Sequence, residues 1–509
     1  MSDFVYQLTQ QTKMAPTPAV ADPDTEPLKP RIPEKHSTLG LRMADNLPEI
    51  VTKEGVHVCA QDTAFADKVV NLVDEFPLWT DEGLIDIPPD EWMKIPLVEG
   101  WQNQKVSARS YPLSKRDREV LDKTFGDLHA QGRMRFANEA TPFAHPVFVV
   151  WRTVKGEPKG RVVIDLRGLN KVSVPNNYPL PLQSEIIAAL RGKKFITAID
   201  ATSFFYQFGV YPPHRDRFTL ISPRGLEQPT VCLMGYRNTP AYAQRFMDRL
   251  LASHSEYCRA FIDDIVIYSD TADDHLKHLR TIFALFRKKN IAISPTKSYL
   301  GYPNVELLGF RVDSLGLTNT AQRLEAFKKL AFPTTLKALE QYIGASSFLR
   351  HLIPYYAKLS EPLQNRKVAL LAQGRKSGHV EPNNHSKRMN YCSRTRFEPT
   401  ELEKASFQAI QDVICRENPT ILHHFDPAKQ LFMQIDGCLE RGFGVMAFHT
   451  RDGYEWTPGS VIPSNQVLPV MFLSRCLTKA EMRFRLLSLG SAQAPNHDPF
   501  RAPASYRPH

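Results

Sequence analysis

Two adjacent carboxylates, Asp263 and Asp264, interrupt an apolar run, Phe261-Ile262-Asp263-Asp264-Ile265-Val266-Ile267-Tyr268. β-Forming residues on both sides of an acidic pair predict a tight hairpin with the acids at its turn, exposed at a tip. Asp is a common turn residue, so the pair alone also fits an ordinary surface hairpin. Asp200 gives it a chemical partner. It ends a second apolar stretch, Phe195-Ile196-Thr197-Ala198-Ile199-Asp200, and would meet Asp263 if the two strands are neighbours in one sheet. Hard oxygen ligands from one or two carboxylates, completed by water and substrate phosphates, are how Mg²⁺ is held. Two such ions, roughly 3.5 to 4 Å apart, can activate an attacking hydroxyl and neutralise a leaving pyrophosphate. Nucleotidyl transfer is the leading chemistry.

The elements that must carry these acids can be read around them. Ser114 to Gln131 has helical spacing, with Val120, Leu121, Phe125 and Leu128 on one face and Gly132 as a stop. Pro146 to Trp151 and Gly160 to Asp165 read as paired strands around a loop from Lys155 to Gly160. Lys155 and Lys159 in that loop, with Arg161 beyond it, could grip a triphosphate; an ordinary solvated hairpin is the plain alternative. A short helix from Ser184 to Leu190 precedes the Asp200 strand, and Phe204, Phe205 and Tyr206 follow it. Three aromatics in a row are more often core than ligand contacts. Gly235, in Met234-Gly235-Tyr236, would permit a close backbone approach to a base or sugar. A helix is expected from about Ala241 to Leu251, and a hairpin at Leu307-Leu308-Gly309-Phe310.

Bulk properties fit a polyanionic partner. Residues 1–100 hold 8 Lys and Arg against 18 Asp and Glu; subtraction from totals of 64 and 54 leaves 56 against 36, net +20, for residues 101–509. A basic body points to nucleic acid, with simple solubility as the rival reading. Seven cysteines with no CxxC pair argue against a disulfide framework or a zinc ribbon and for a reducing, intracellular setting, with the choice between cytoplasm and nucleus left open. No apolar stretch approaches the ~20 residues that cross a bilayer, so no membrane partner is expected.

As a set, these residues resemble the reverse transcriptase of gypsy-class long-terminal-repeat retrotransposons, fungal ones in particular. The matching stretches are Arg161 to Asn170, the Asp200 strand with its aromatics, Met234 to Tyr236, the Phe261 to Asp264 hairpin, and Leu307 to Phe310. The resemblance covers about Trp79 to Gln364. It implies an α+β right-hand polymerase of fingers, palm and thumb, followed by an incomplete α/β ribonuclease H-like domain. It also implies an RNA template, a DNA primer, the RNA–DNA hybrid and dNTPs as partners. Two Mg²⁺, for which Mn²⁺ could substitute, would be held by Asp200, Asp263 and the backbone of Ala201. Asp264 would be the accessory acid, pointing to the opposite face of its strand from Asp263. Lys159 (with Lys155 as competitor), Arg161, Phe205 and Gly235 would bind the dNTP, with Phe205 crowding a ribose 2′-hydroxyl. Leu308, Gly309 and Phe310 would grip the primer. Phe261 stands where Tyr is commoner in the family, and Phe204 where a small residue is.

The resulting division is an acidic, largely disordered leader at 1–75 and an extended strap at 76–113. Fingers and the start of the palm take 114–199, palm with the remaining fingers segment 200–316, and a helical thumb or connection 317–364. A basic linker at 365–396 carries 8 Lys and Arg against Glu381 alone. A partial ribonuclease H-like domain at 397–490 and a disordered tail at 491–509 complete the chain. Asp436 matches the first acid of the ribonuclease H site, but Met482 to His497 contains no acid, Glu481 comes too early and Asp498 lies in the tail. No ribonuclease H activity is therefore expected, and the tail suggests truncation or a shifted reading frame in a polyprotein fragment. Two other readings stand beside this one: a non-catalytic nucleic-acid-binding relic of the element, and an RNA-dependent RNA polymerase with the same palm.

Overall fold

The computed structural model describes residues 47–477, apart from 82, 155–156, 382–383, 417–419 and 439–441, and leaves the side chains of 154 and 436–438 undescribed. Two compact units divide at Leu317/Thr318.

In the unit that ends at Leu317, a six-stranded sheet has the order β1-β2-β11-β6-β10-β9. Its members are β1 (Glu49–Val51), β2 (His57–Cys59), β6 (Phe195–Asp200), β9 (Cys258–Phe261), β10 (Asp264–Ser269) and β11 (Tyr299–Tyr302). Both acid-bearing strands are interior, and β6 and β10 are antiparallel. Strand side chains alternate between faces, so each strand supplies two apolar sets. Ile199, Ile265 and Ile267 join a core with α1 (Thr63–Glu75) and α6 (Ala272–Lys288), through Val69 and Leu72 on one helix and Leu279, Ile282 and Phe283 on the other. Both helices begin at a side-chain cap, Asp62 and Thr271, which occupies backbone N–H groups the first turn leaves unpaired. On the other face Ile196, Ala198, Val266 and Tyr268 are buried as well.

A five-stranded sheet, ordered β3-β8-β7-β4-β5, joins β3 (Met134–Phe136), β4 (His145–Val154), β5 (Glu157–Ile164), β7 (Leu220–Ser222) and β8 (Gly225–Pro229). Helix α2 (Lys115–Ala130) packs beside it and starts at a capping box in which Ser114 and Asp117 each satisfy the other's backbone N–H. The strap is coil that is pinned rather than free: Met93 bridges Val210, and a Cβ on Gly209 would lie 2.5 Å from the Trp92 indole. Arg133, almost fully buried, forks onto Asp81 and the Gly83 carbonyl and ties the strap to β3.

Three expectations change. The leader assigned to 1–75 is structured from β1 onward: β1 and β2 extend the six-stranded sheet, β2 pairing in parallel with β11, and residues 1–46 lie outside the described residues. Short, polar-flanked strands of three residues carry too little periodicity to be read from sequence. The loop from Lys155 to Gly160 is shorter than expected, because β4 and β5 pair out to Val154 and Glu157. This places Lys159 on a strand; Lys155 lies outside the described residues. The basic linker is largely helical: α9 (Tyr356–Lys376) runs into it and α10 (His385–Arg394) lies within it. Leu370 of α9 and Cys392 of α10 are buried with Leu336, a sparse apolar set that charge counting hid.

The unit from Thr318 contains α7 (Ala321–Lys328), α8 (Leu336–Phe348), α9, α10 and α11 (Glu401–Ile414), then a two-residue strand β15 (Leu422–His423). Strands β16 (Phe432–Cys438), β17 (Gly442–Thr450) and β18 (Val467–Cys476) form an antiparallel sheet in that order. The expected tail and residues 478–490 lie outside the described residues. In the unit that ends at Leu317, β12 (Asn304–Leu307) and β13 (Phe310–Asp313) form the anticipated hairpin, with β14 (Gly316–Asn319) next in the same sheet. Leu308 and Gly309 turn it with φ of 51° and 81°, the two positive angles of a type I′ connection.

Candidate active site

The acids meet at the end of the paired strands. Asp264 lies directly opposite Asp200 across β6 and β10, and cross-strand partners share a face of the sheet. The turn is Ile262-Asp263 rather than the acid pair, since Asp264 already pairs with Phe261 as the first residue of β10. The opposite-face relation expected for Asp263 and Asp264 therefore does not apply, because only one of them is in a strand. Asp263 is brought to Asp200 by backbone: its carbonyl accepts from the Ala201 N–H at 3.0 Å. Ala201 is itself buried.

Ile262 turns the hairpin at φ 59°, a conformation that costs a β-branched side chain energy. A buried glutamine holds it there. Gln244, on α5 (Thr239–Leu250), accepts from the Ile262 N–H at 2.7 Å and donates to the Ala260 carbonyl at 3.0 Å. The same amide donates to Asp248 at 2.8 Å. Gln244→Leu keeps the volume but leaves two backbone groups without partners, at ~1–3 kcal/mol each. The expected result is a loss of ~3 kcal/mol in chemical denaturation. An unchanged midpoint and slope would remove the clamp assignment.

Electrostatically the site is over-supplied with negative charge. Burial raises the Asp263 carboxyl above the usual range, and Asp200 adds to that. Burial, Asp263 and Asp200 push Asp264 up to about 6, with Lys297 working in the other direction. Lys297 is the one cation seen in contact with the acids among the described residues, its Nζ 2.9 Å from Asp200 Oδ2. It stands at the end of a short Pro295–Lys297 turn, and its role was not legible in sequence.

The folded-state value of Asp264 lies above the ~3.9 of an unfolded Asp. Its contribution is thus complete below pH ~3.9 and is lost as pH rises through about 6. The wild type is expected to lose stability between pH 4 and 6.5 relative to Asp264→Asn, by on the order of 2 kcal/mol in the difference. Parallel pH profiles for the two proteins in urea unfolding would contradict the assignment.

The other expected site residues are placed by their own elements. Arg161 donates to Met234 Sδ at 2.8 Å, next to Gly235, and its charge is felt by Tyr206, the neighbour of Phe205. Lys159 lies two residues before Arg161 on β5, on the same face of the strand, and both are exposed. Gly235 has φ 95°, so it needs glycine's freedom. Asn170, on α3 (Arg167–Val172), pins that loop, donating to the Gly235 carbonyl at 2.8 Å and accepting from the Arg237 N–H at 2.9 Å. Phe204 is core, edge-on to Phe208 at 4.9 Å, while Phe205 is only half-buried. The Leu308 to Phe310 turn sits on a hairpin whose β12 lies against β6. Asp436 belongs to the other unit, in β16 opposite Gly444.

A divalent cation fits this donor set. The acids are hard oxygen donors with surplus charge, and the backbone of Ala201 lies beside them. Among the described residues no three His, Cys, Asp or Glu side chains form an all-protein cage. Mg²⁺ usually avoids such cages, taking one or two carboxylates and completing its shell from water and phosphate.

Comparison with known proteins gives a family match for part of the chain. Residues 154–312 match the family described as reverse transcriptase (RNA-dependent DNA polymerase). The chain is 25% identical over 476 residues to the retrovirus-related Pol polyprotein from transposon opus of Drosophila melanogaster, covering 91% of this chain and 44% of that protein. It is 25% identical over 386 residues to the transposon Tf2-3 polyprotein of Schizosaccharomyces pombe, covering 75% and 26%. It thus spans less than half the length of these relatives. In fold it resembles the foamy viral protease-reverse transcriptase solved with an RNA/DNA hybrid, at a TM-score of 0.65 and 18% identity over 83% of this chain and 51% of that one. The same viral protein solved with dsDNA gives 0.65 and 18%, over 84% and 82%.

Proposed function

We propose that this chain, which carries a reverse transcriptase domain across residues 154–312, is an RNA-directed DNA polymerase acting within a retrotransposon polyprotein of gypsy class and fungal type. The observation that carries the reading is the convergence of three carboxylates, Asp200 opposite Asp264 with Asp263 held beside them, under surplus negative charge. The relatives are transposon polyproteins, one from fission yeast, which supports the class of element.

Asp200, Asp263 and the Ala201 backbone would hold two Mg²⁺, which Mn²⁺ can replace, and Asp264 shapes their charge environment. When bound, such ions activate the primer 3′-hydroxyl and stabilise the leaving pyrophosphate. The chain's own part is positioning and charge. Arg161 and Lys159 bind the triphosphate, Asn170 fixes the loop whose Gly235 lets the nucleotide approach, and Phe205 stands against the sugar. Lys297 neutralises Asp200 in the resting protein. Leu308, Gly309 and Phe310 hold the primer. Template, primer and RNA–DNA hybrid are bound through their backbones, with little dependence on sequence and a steep dependence on salt. The segment from Phe397 supplies no ribonuclease H activity, since Asp436 lacks the acids that chemistry needs in Met482 to His497.

The test is primer extension on a poly(rA) template with an oligo(dT) primer. Incorporation of dTTP that requires Mg²⁺ or Mn²⁺ is expected. Hybrid binding by the folded protein without incorporation under either metal would leave a nucleic-acid-binding relic instead.

A further inference from the structure

We propose that Asp248 and Tyr178 are positioning residues for the acid-bearing hairpin, acting through the Gln244 amide on the turn that carries Asp263. This role rests on the polymerase reading and deepens it, since neither side chain is assigned to the nucleotide, the primer or the metals.

Gln244 lies wholly out of water, and each partner of its amide has one sense only. The oxygen accepts from the Ile262 N–H, while the nitrogen gives one hydrogen to the Ala260 carbonyl and the other to Asp248 Oδ1. Turning the amide over would set its oxygen against a carbonyl and a carboxylate, neither of which can donate. Without Asp248 the second N–H of this buried amide has no partner, and an amide short of one bond is held less firmly in the turn. Residues 244 and 248 lie one helical turn apart on α5, which is why one side chain reaches the other.

Asp248 is itself held. Its Oδ2 accepts from the Tyr178 hydroxyl at 2.5 Å. That bond, and then burial, raises the phenol above its ordinary range, so Tyr178 remains the donor. Tyr178 stands between Pro175 and Pro179, whose rings narrow the freedom of the segment that presents it. The start of the same segment is fastened to the start of α5. There Asn238 accepts from the Asn176 N–H at 2.9 Å and donates to the Val174 carbonyl at 2.8 Å. Helix α5 and the segment from Val174 to Tyr178 are thus joined at two places, and Gln244 lies between them in the helix.

The hairpin needs such support. A β-branched residue at positive φ, as Ile262 is, persists only where its surroundings over-determine it. Asp263 follows directly, so a turn that relaxes carries the carboxylate away from Asp200. A misplacement of ~1 Å at a reacting centre can cost on the order of a hundredfold in rate.

The test compares Asp248→Leu, Asp248→Asn and Tyr178→Phe in the full chain. Amide hydrogen exchange of the Phe261 to Asp264 turn is measured beside the kinetics of dTTP incorporation. In Asp248→Leu, exchange at Ile262 is expected to quicken by ~tenfold, as for the loss of about one hydrogen bond. Its kcat should fall by roughly tenfold to a hundredfold, with KM for dTTP and hybrid affinity unchanged. Asp248→Asn keeps an acceptor for Gln244 and can donate to the Tyr178 oxygen, so it should stay near wild type in both measurements. Tyr178→Phe removes one hydroxyl, spares the fold, and should show the Asp248→Leu changes in smaller measure; it carries the test if Asp248→Leu does not fold. Unchanged exchange at Ile262 in the folded variants, a loss confined to KM, or an Asn variant as impaired as the Leu one would each overturn the proposal. Failure of the wild type to extend a primer would instead overturn the polymerase reading, because exchange reads the turn without catalysis.

Discussion

Asp263→Asn is expected to lower primer extension by roughly a thousandfold or more while leaving the fold intact. The substitution is isosteric, and the contact that docks this residue on Ala201 uses the backbone carbonyl, which Asn keeps. What changes is charge. Asp263 sits in a partly desolvated place where its ionised form is disfavoured by burial and by Asp200, so removing its charge relieves Asp264 rather than straining it. Stability at neutral pH should hold or rise. Catalysis should not, because stabilising charge on a transferring phosphoryl group through a bound cation is worth several kcal/mol, and ~4 kcal/mol corresponds to a factor of about a thousand. The measurement is dTTP incorporation on poly(rA)/oligo(dT), with hybrid affinity followed in parallel. Wild-type rates with normal binding would place the metal on other residues.

The pattern that betrayed the site was local and chemical, and the parts that stayed hidden are tertiary. Acid pairs inside apolar strands were visible, as were the helix capped at Ser114 and the hairpin at Leu308-Gly309, because period, caps and turn residues act over a few positions. The turn register was not. Whether Asp263 or Asp264 begins the strand depends on the Gln244 amide holding Ile262 at a positive φ, a contact made across 18 residues. Gln244 did leave a trace: it falls between Ala241 and Met247 on the buried stripe of α5, and a polar residue on an apolar stripe invites the question of its partner. Lys297 and Asn170 left none, since a lysine after a proline turn and an asparagine on a short helix are ordinary surface choices. The leader's strands were missed for the same reason: β1 and β2 exist because β11 offers an edge, not because their residues demand it.

Phe205→Val is expected to let ribonucleotides in. The backbone before Phe205 is constrained, with Ser203 at φ 44° opening a 3₁₀ turn, and Phe204 on one side is fixed in the core against Phe208. A half-buried ring on such a support cannot retreat far, so a 2′-hydroxyl placed against it meets a wall of defined position. Forcing extra atoms into a packed space costs ~1–3 kcal/mol, which is a bias of about fivefold to more than a hundredfold in favour of the deoxy sugar. Valine removes the far part of the ring and keeps an apolar surface, so the bias should fall by about that factor while dTTP incorporation changes much less. The ratio of kcat/KM for dTTP and UTP on the same primer–template reads this directly, because the primer, metal and triphosphate contacts cancel in it. An unchanged ratio in a folded, active variant would place the sugar gate elsewhere. A wild type that already takes UTP as readily as dTTP would mean that the palm serves RNA synthesis, and that the ring at 205 has only a packing role.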